Sequence, residues 1–287
     1  MMRKILYKAL PALAVIAIFV VLIPLFQAYT ISHPFRRLPV ATPSQYGMNY
    51  ESVVFTSSDG LQLKGWLIMN NESRSLVIVC HGHGSNKGEV VHVAEMLNRN
   101  GYSTLLFDFR AHGESEGDFA SLGWLEVNDL KAAIEYVKER VNPDNIGVIG
   151  FSLGGAVGIT AAAQTDDIKA VVADSAFADR SRLIARAVGN VLPPLGYLTV
   201  LFARMFGMNM DENPVNYVEK ISPNALMIIQ GDKDHLVEVG DAELMYERAK
   251  EPKELWLVPD APHVVAYTGR SGYEERIVEF FDKYLNL

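Results

Sequence analysis

The chain has 287 residues, 49% of them apolar and 21% charged, the balance of a globular protein with a sizeable core. Its net charge of −8 excludes nucleic acid as a partner, because phosphate binding needs a basic face and no Lys/Arg cluster on a predicted helix supplies one. One cysteine, Cys80, excludes an intrachain disulfide framework and a cysteine-based zinc site; it ends an apolar run and reads as a small buried hydrophobe.

At the N-terminus, Arg3, Lys4 and Lys8 precede Ala9–Phe26, a run without charge. Such a run is long enough to cross a bilayer core of about 30 Å as a helix. A cleaved signal peptide is the alternative, but its apolar region would be long, and cleavage after Ala28 would put Phe26 where a small residue is wanted. Residues 1–28 therefore read as an uncleaved, single-pass anchor. Three basic residues before it, against Arg36 and Arg37 after it, predict a cytoplasmic N-terminus and an extracytoplasmic body at the cell membrane. Residues 29–49 read as a tether: positions 29–47 hold three prolines and show no helical or strand period.

From residue 50 to 287 strands alternate with helices in what reads as one domain. Glu51–Thr56 and Leu61–Met69 flank Ser58-Asp59-Gly60 and predict a hairpin. Six apolar runs follow, at Leu76–Cys80, Thr104–Phe107, Ile146–Ile149, Ala170–Ala173, Leu226–Ile229 and Leu255–Val258. Runs of this kind are buried on both faces of a parallel sheet. Helix-length amphipathic segments lie between them, such as Leu122–Val141 with Leu125, Leu130, Ile134 and Val137 along one face. The expected fold is α/β: a doubly wound, mostly parallel sheet of about eight strands, with the loops after the strand C-termini on one rim. One segment breaks the alternation. An insertion over about 176–222, with an unusually apolar middle at Leu183–Met210, is too long for an ordinary connection and predicts helices capping that rim.

Gly150-Phe151-Ser152-Leu153-Gly154 is a G-x-S-x-G match. It follows an apolar strand and precedes a small-residue helix, the setting a nucleophile elbow requires, so Ser152 is the candidate nucleophile. A serine hydroxyl needs a base oriented by a third group. Among seven histidines, His33 falls in the tether, His92 in a helix, and His81, His83 and His112 in glycine-rich loops. His263 follows the last strand and is the candidate base. The acid should lie between serine and histidine in chain order. Asp234, in Gly231-Asp232-Lys233-Asp234-His235 after the preceding strand, fits that place. Asp232 then reads as a turn residue bonding its own backbone, with Asp174 as a further alternative for the acid and His235 as a local loop residue. An oxyanion needs donors, and the amides of His83, in the His81–Gly84 loop, and Leu153 lie on the same rim. A zinc site at His81 and His83 lacks an evident third ligand.

The segments HGHG (His81–Gly84), FDFRAHGES (Phe107–Ser115), GFSLGG (Gly150–Gly155), GDKDHLV (Gly231–Val237) and PDAPHV (Pro259–Val264) together resemble the α/β-hydrolase superfamily. More narrowly, they resemble its serine-aminopeptidase-like, BEM46-like branch of membrane-associated hydrolases. The likeness spans roughly residues 50–287, with the motifs in the right order. It implies Ser152, Asp234 and His263 as a triad and His83 and Leu153 as oxyanion donors. It also implies that the Asp108/Arg110/His112 stretch shapes its loop rather than doing chemistry. Relatives that open epoxides or remove halides carry Asp at the elbow, where this chain has Ser152. No G-x-G-x-x-G follows the first parallel strand, so no dinucleotide site is indicated.

The expected activity is hydrolysis of carboxylic esters through an acyl-enzyme, without cofactor or metal. A small-molecule or lipid-like substrate with an apolar acyl part is expected from the apolar cap and the anchor. The rivals are an amidase or aminopeptidase with the same triad, acyl transfer to another acceptor, and a non-catalytic membrane-tethered scaffold.

Overall fold

All eight expected strands are present in the computed structural model, each within a residue or two of its apolar run. The structure describes residues 2–71, 74–189, 193–265, 269 and 271–285, and only the backbone of residues 2–16 and 189. The strands β1 (Glu51–Thr56), β2 (Gln62–Ile68), β3 (Ser75–Cys80), β4 (Ser103–Phe107), β5 (Asn145–Phe151), β6 (Ile168–Asp174), β7 (Ala225–Gly231) and β8 (Lys253–Val258) form one sheet. Their order is β1-β2-β4-β3-β5-β6-β7-β8. The hairpin pairs antiparallel from Glu51↔Leu67 to Thr56↔Gln62, and β2 is also antiparallel to β4. Every later pair is parallel.

This order decides where chemistry can sit. The chain steps from β3 outward to β4, then returns across β3 to β5, so the winding reverses between β3 and β5. Cys80, the last residue of β3, has Gly150, one residue before the end of β5, as its register partner. The loops after the two strands diverge to opposite sides and leave a crevice at the strand C-termini, the usual ligand position in open α/β sheets.

Both faces of the sheet are covered. Within β3, Leu76, Ile78 and Cys80 enter one core and Val77 and Val79 the other. Helices α2 (Val91–Arg99), α3 (Glu126–Arg140), α4 (Leu153–Ala162), α7 (Val239–Arg248) and α8 (Tyr273–Leu285) supply the layers. Helix α3 begins four residues later than its periodicity predicts. Leu122 adopts φ 55, and the Glu126 carboxylate accepts from the Ser121 and Gly123 amides and the Ser121 hydroxyl, making a buried loop of what reads as a first turn.

The insertion contains two helices, α5 (Arg180–Gly189) and α6 (Pro193–Met205), packed on each other. Positions 190–192 of its apolar middle lie outside the described residues.

Helix α1 (Met2–Ser32) differs from the anchor-and-tether expectation at its end. It runs through Ser32, since no proline or charge intervenes before Pro34, and its last turns pack against α6. Ala28 is fully buried, the Ala120 amide donates to the Ser32 carbonyl, and Phe206 meets the stacked rings of Tyr29 and His33 edge-on. Arg36 donates to the Gly117 carbonyl at 2.6 Å and to that of Ser115. Residues 28–36 are thus fixed to the body. The uncharged run Ala9–Phe26 lies in α1, with the side chains of residues 9–16 outside the described residues. Among the described residues no helix is long and apolar enough to cross a membrane.

Candidate active site

Ser152 sits between β5 and α4 at φ 51, ψ −108, a conformation that costs a non-glycine residue about 1–3 kcal/mol. The surroundings enforce it. The Ser152 amide donates to the Asp174 carbonyl of the neighbouring strand at 2.8 Å, and its carbonyl accepts from Ala156 at 3.0 Å. The turn closes so tightly that a Cβ on Gly150 would lie 2.2 Å from the Gly154 backbone, and one on Gly154 would lie 2.2 Å from the Cys80 carbonyl oxygen. The motif's glycines are therefore a packing requirement between β3, β5 and α4.

His263 lies in the loop after β8. Its Nδ1 is 2.6 Å from Oδ2 of Asp234. That carboxylate is buried and fully engaged: Gln230 Nε2 donates to Oδ2 at 2.9 Å, and the amides of Leu236 and Val237 donate to Oδ1 at 2.8 and 2.9 Å. Burial works to raise the Asp234 pKa, but hydrogen bonds from His263 and the two amides outweigh it and hold the group below the ordinary carboxylate value. Asp234 stays charged and fixes Nδ1 of His263 as the donor, which leaves Nε2 as the lone-pair nitrogen. Ser152 and His263 line one cavity of about 360 Å³ with Gly82 and His83.

The other two acidic candidates have different work. Asp232 does not bond its own backbone as expected; it accepts from the Asp260 amide at 2.7 Å and clamps the start of the histidine loop. Asp174 is fully buried and accepts from the Val265 amide and the Tyr273 hydroxyl, both at 3.0 Å, and from Ser175. It braces the far side of the same loop. This bracing and the Gln230 contact carry no local motif, and the sequence reading missed both. His235 is exposed.

The His81–Gly84 loop lies against the elbow, with the Cβ position of Gly82 only 3.7 Å from that of Ser152. Among the described residues no acceptor engages the amide of His83 or of Leu153, the first residue of α4. Both remain available to an oxyanion. Rigidity comes from beneath. His81 Nε2 accepts from the Phe109 amide and His112 Nε2 from the Gly84 amide, while their Nδ1 atoms donate to the carbonyls of Gly82 and Arg110. Each ring has both nitrogens committed to backbone, which leaves neither a lone pair for a metal ion. Among the described residues no group of three or more His, Cys, Asp or Glu side chains is arranged to hold one. His83, with a buried Nδ1 that has no partner among the described residues, is held neutral by burial and by the neighbouring His112 and His81, its pKa pushed down to about 3.

The Asp108–His112 stretch supports this loop from the next strand. Asp108 binds the buried Lys87 ammonium at 2.5 Å and its amide at 2.7 Å, and Arg110 joins Asp129 at 2.6 Å to Asp59. The remaining cavity wall is mostly apolar, with Leu122, Phe177, Leu183 and Ile184 from the body and cap and Ile31 from α1, while Ser85 and Glu89 are its polar members. Ile31 was read as tether, and no local signal placed it at the site.

Comparison with known proteins agrees with this architecture. The sequence profile of the serine aminopeptidase, S33 family matches residues 71–206. The Escherichia coli protein YfhR is 31% identical over 97% of this chain and 95% of its own length. Protein bem46 of Schizosaccharomyces pombe is 26% identical over 84% of this chain and 79% of its own. Among solved structures, the Pyrococcus furiosus esterase Pf2001 superposes with a TM-score of 0.77 at 33% identity, covering 89% of this chain and 98% of that one. With the eight-stranded sheet, the elbow and the likeness along nearly the whole length, the chain belongs to the α/β-hydrolase superfamily, in its serine-aminopeptidase-like, BEM46-like branch.

Proposed function

We propose that the protein is a serine hydrolase that cleaves carboxylic esters with apolar acyl chains. The observation that carries this reading is the 2.6 Å contact of Asp234 with His263 in a cavity that Ser152 also lines. His263 Nε2 takes the proton as the Ser152 Oγ attacks the ester carbonyl, and charged Asp234 stabilises the imidazolium that forms. The His83 and Leu153 amides donate to the oxyanion; losing one such donor costs about 3 kcal/mol in the barrier. The imidazolium protonates the departing alkoxide, and water activated by the same base then hydrolyses the acyl-enzyme. No cofactor enters the cycle.

The apolar wall of the cavity and the likeness to a protein described as an esterase favour esters. The aminopeptidase description of the family favours amides, and competing ester and aminoacyl-amide substrates separate the two. The N-terminal run Ala9–Phe26 is proposed as a single-pass anchor with the body extracytoplasmic, supported by Arg3, Lys4 and Lys8 ahead of it.

A fluorophosphonate probe tests the core of the reading. Labelling of the full chain that disappears in Ser152→Ala is expected. No labelling of folded protein would overturn it in favour of a scaffold.

A further inference from the structure

The first helix takes part in the site rather than merely holding it near a membrane. Its last turn places Ile31 in the cavity wall beside Leu183, Ile184 and Ala187 of α5. Between α1 and α5 lies α6, packed on both. Gly196 permits the α5 approach, since a Cβ there would meet the Ala185 carbonyl at 2.3 Å. On α6, Gly196, Thr199 and Ala203 are turned inward. The opposite stripe, at four-residue spacing, carries Tyr197, Leu201 and Met205, which are 72%, 51% and 71% exposed. On α1, Ile18 through Ile23 and Phe26 are likewise exposed.

The two surfaces meet along the α1–α6 contact. The chain carries a net charge of −8, yet 18–32 and 193–205 contain no carboxylate. An apolar surface of this extent on a soluble face marks an interaction site. The adjoining sequence says which: the same helix carries the uncharged run Ala9–Phe26 behind three basic residues, a pattern that suits a lipid bilayer. Because the helix is fixed to the body through Ala28, Ser32 and Arg36, the body cannot swing away from that bilayer.

We propose that α1 and the outer stripe of α6 form one face that rests in the bilayer, and that acyl substrates pass to Ser152 from the lipid phase along the wall that α1 and α5 share. The delivery step rests on the ester-hydrolase reading; the bilayer contact does not. The substrate class is then an ester of a membrane lipid, with its acyl chain against Ile31 and Ile184.

The single native cysteine is buried, so Leu201→Cys gives a unique attachment site for an environment-sensitive fluorophore on the full chain. In phosphatidylcholine vesicles that include acyl-chain spin-labelled lipid, quenching of that fluorophore is expected, and its absence overturns the proposal. A fluorophore shift that instead follows protein concentration without lipid means that a second copy covers the face, and also overturns it. The second arm uses Tyr197→Asp combined with Met205→Asp. Turnover of a long-chain diacylglycerol in the vesicles should fall on the order of a hundredfold, about tenfold for each apolar side chain withdrawn from lipid. Fluorophosphonate labelling and turnover of a water-soluble butyrate ester should hold. An equal fall in both substrates means that α6 is only structural, and overturns delivery from lipid. Loss of fluorophosphonate labelling in the unaltered chain sinks the hydrolase reading instead, and quenching then still decides the face.

Discussion

Asp174 holds Ser152 through its carbonyl, which accepts the serine amide at 2.8 Å, and at the same time holds the histidine loop through its carboxylate. One buried residue at the end of β6 thus sets the distance between the elbow and the loop of His263. Asp174→Ala removes the carboxylate that accepts from the amide of Val265 and the hydroxyl of Tyr273, and a hydrogen bond to a charged group contributes about 1.5–3 kcal/mol. The expected outcome is a lower unfolding midpoint and a fall in kcat that exceeds any change in KM. Asp174→Asn, which restores one acceptor oxygen, should recover part of both. A variant with unaltered kcat would remove the positioning role.

Asp234→Asn tests the orienting carboxylate directly. The amide presents no negative oxygen to stabilise imidazolium, and its NH2 group turned toward Nδ1 would favour the wrong tautomer. We expect kcat to fall by roughly 10⁴-fold, with the fold intact by circular dichroism. The depressed pKa also has a stability consequence. A carboxylate whose folded pKa lies below its unfolded value contributes stability above the unfolded value and loses it as pH falls through the folded one. Acid unfolding of the wild type should therefore steepen below the ordinary carboxylate range, and that component should be missing in Asp234→Asn.

Gly154→Ala adds one methyl group where 2.2 Å separates it from the Cys80 carbonyl oxygen. Neither β3 nor α4 is free to retreat, because β3 is central in the sheet and both are fully buried. Overpacking of this kind costs about 1–3 kcal/mol, and it displaces the Leu153 amide along with the elbow. A thermal melt should show the loss, and fluorophosphonate labelling of the folded fraction should slow. Wild-type stability and labelling would mean that the elbow relaxes more freely than its packing implies.

The strands, and the segments that carry Ser152, Asp234 and His263, were legible in the sequence for one reason: each announces itself locally. A run such as Leu76–Cys80 reads as a doubly covered strand, and a serine between glycines after such a run reads as a turn. What stayed illegible is held by contacts between distant positions. Arg36 looks like a charge in a proline-rich stretch until the Gly113–Gly117 carbonyls are brought to it. Asp232 looks like a turn residue until the Asp260 amide arrives from 28 positions away. Ile31 joins the cavity only because α6 gives the first helix a partner. Periodicity reports which face a residue presents, and it is silent on which partner covers that face.

Three histidines clustered at the site give the last prediction. His81 and His83 each have a ring centroid 5.2 or 5.3 Å from that of His112, and all three are held neutral, first by burial and then, for His81 and His83, by the neighbouring His112. In the unfolded chain each binds a proton near the ordinary value of 6.5, whereas folded His83 resists until about 3. Between those values the unfolded state holds the extra proton, so stability must fall as pH is lowered across the window, by at most about 1.4 kcal/mol per pH unit for each histidine. His83→Gln, which cannot take up a proton, should shed one histidine's share of that slope and leave those of His81 and His112. Urea unfolding at pH 7.5 and 4.5 decides it: the wild type should lose more stability than the variant between the two. Equal losses would mean that His83 titrates in the folded protein as it does in water, and that its burial in the cavity wall imposes no electrostatic cost.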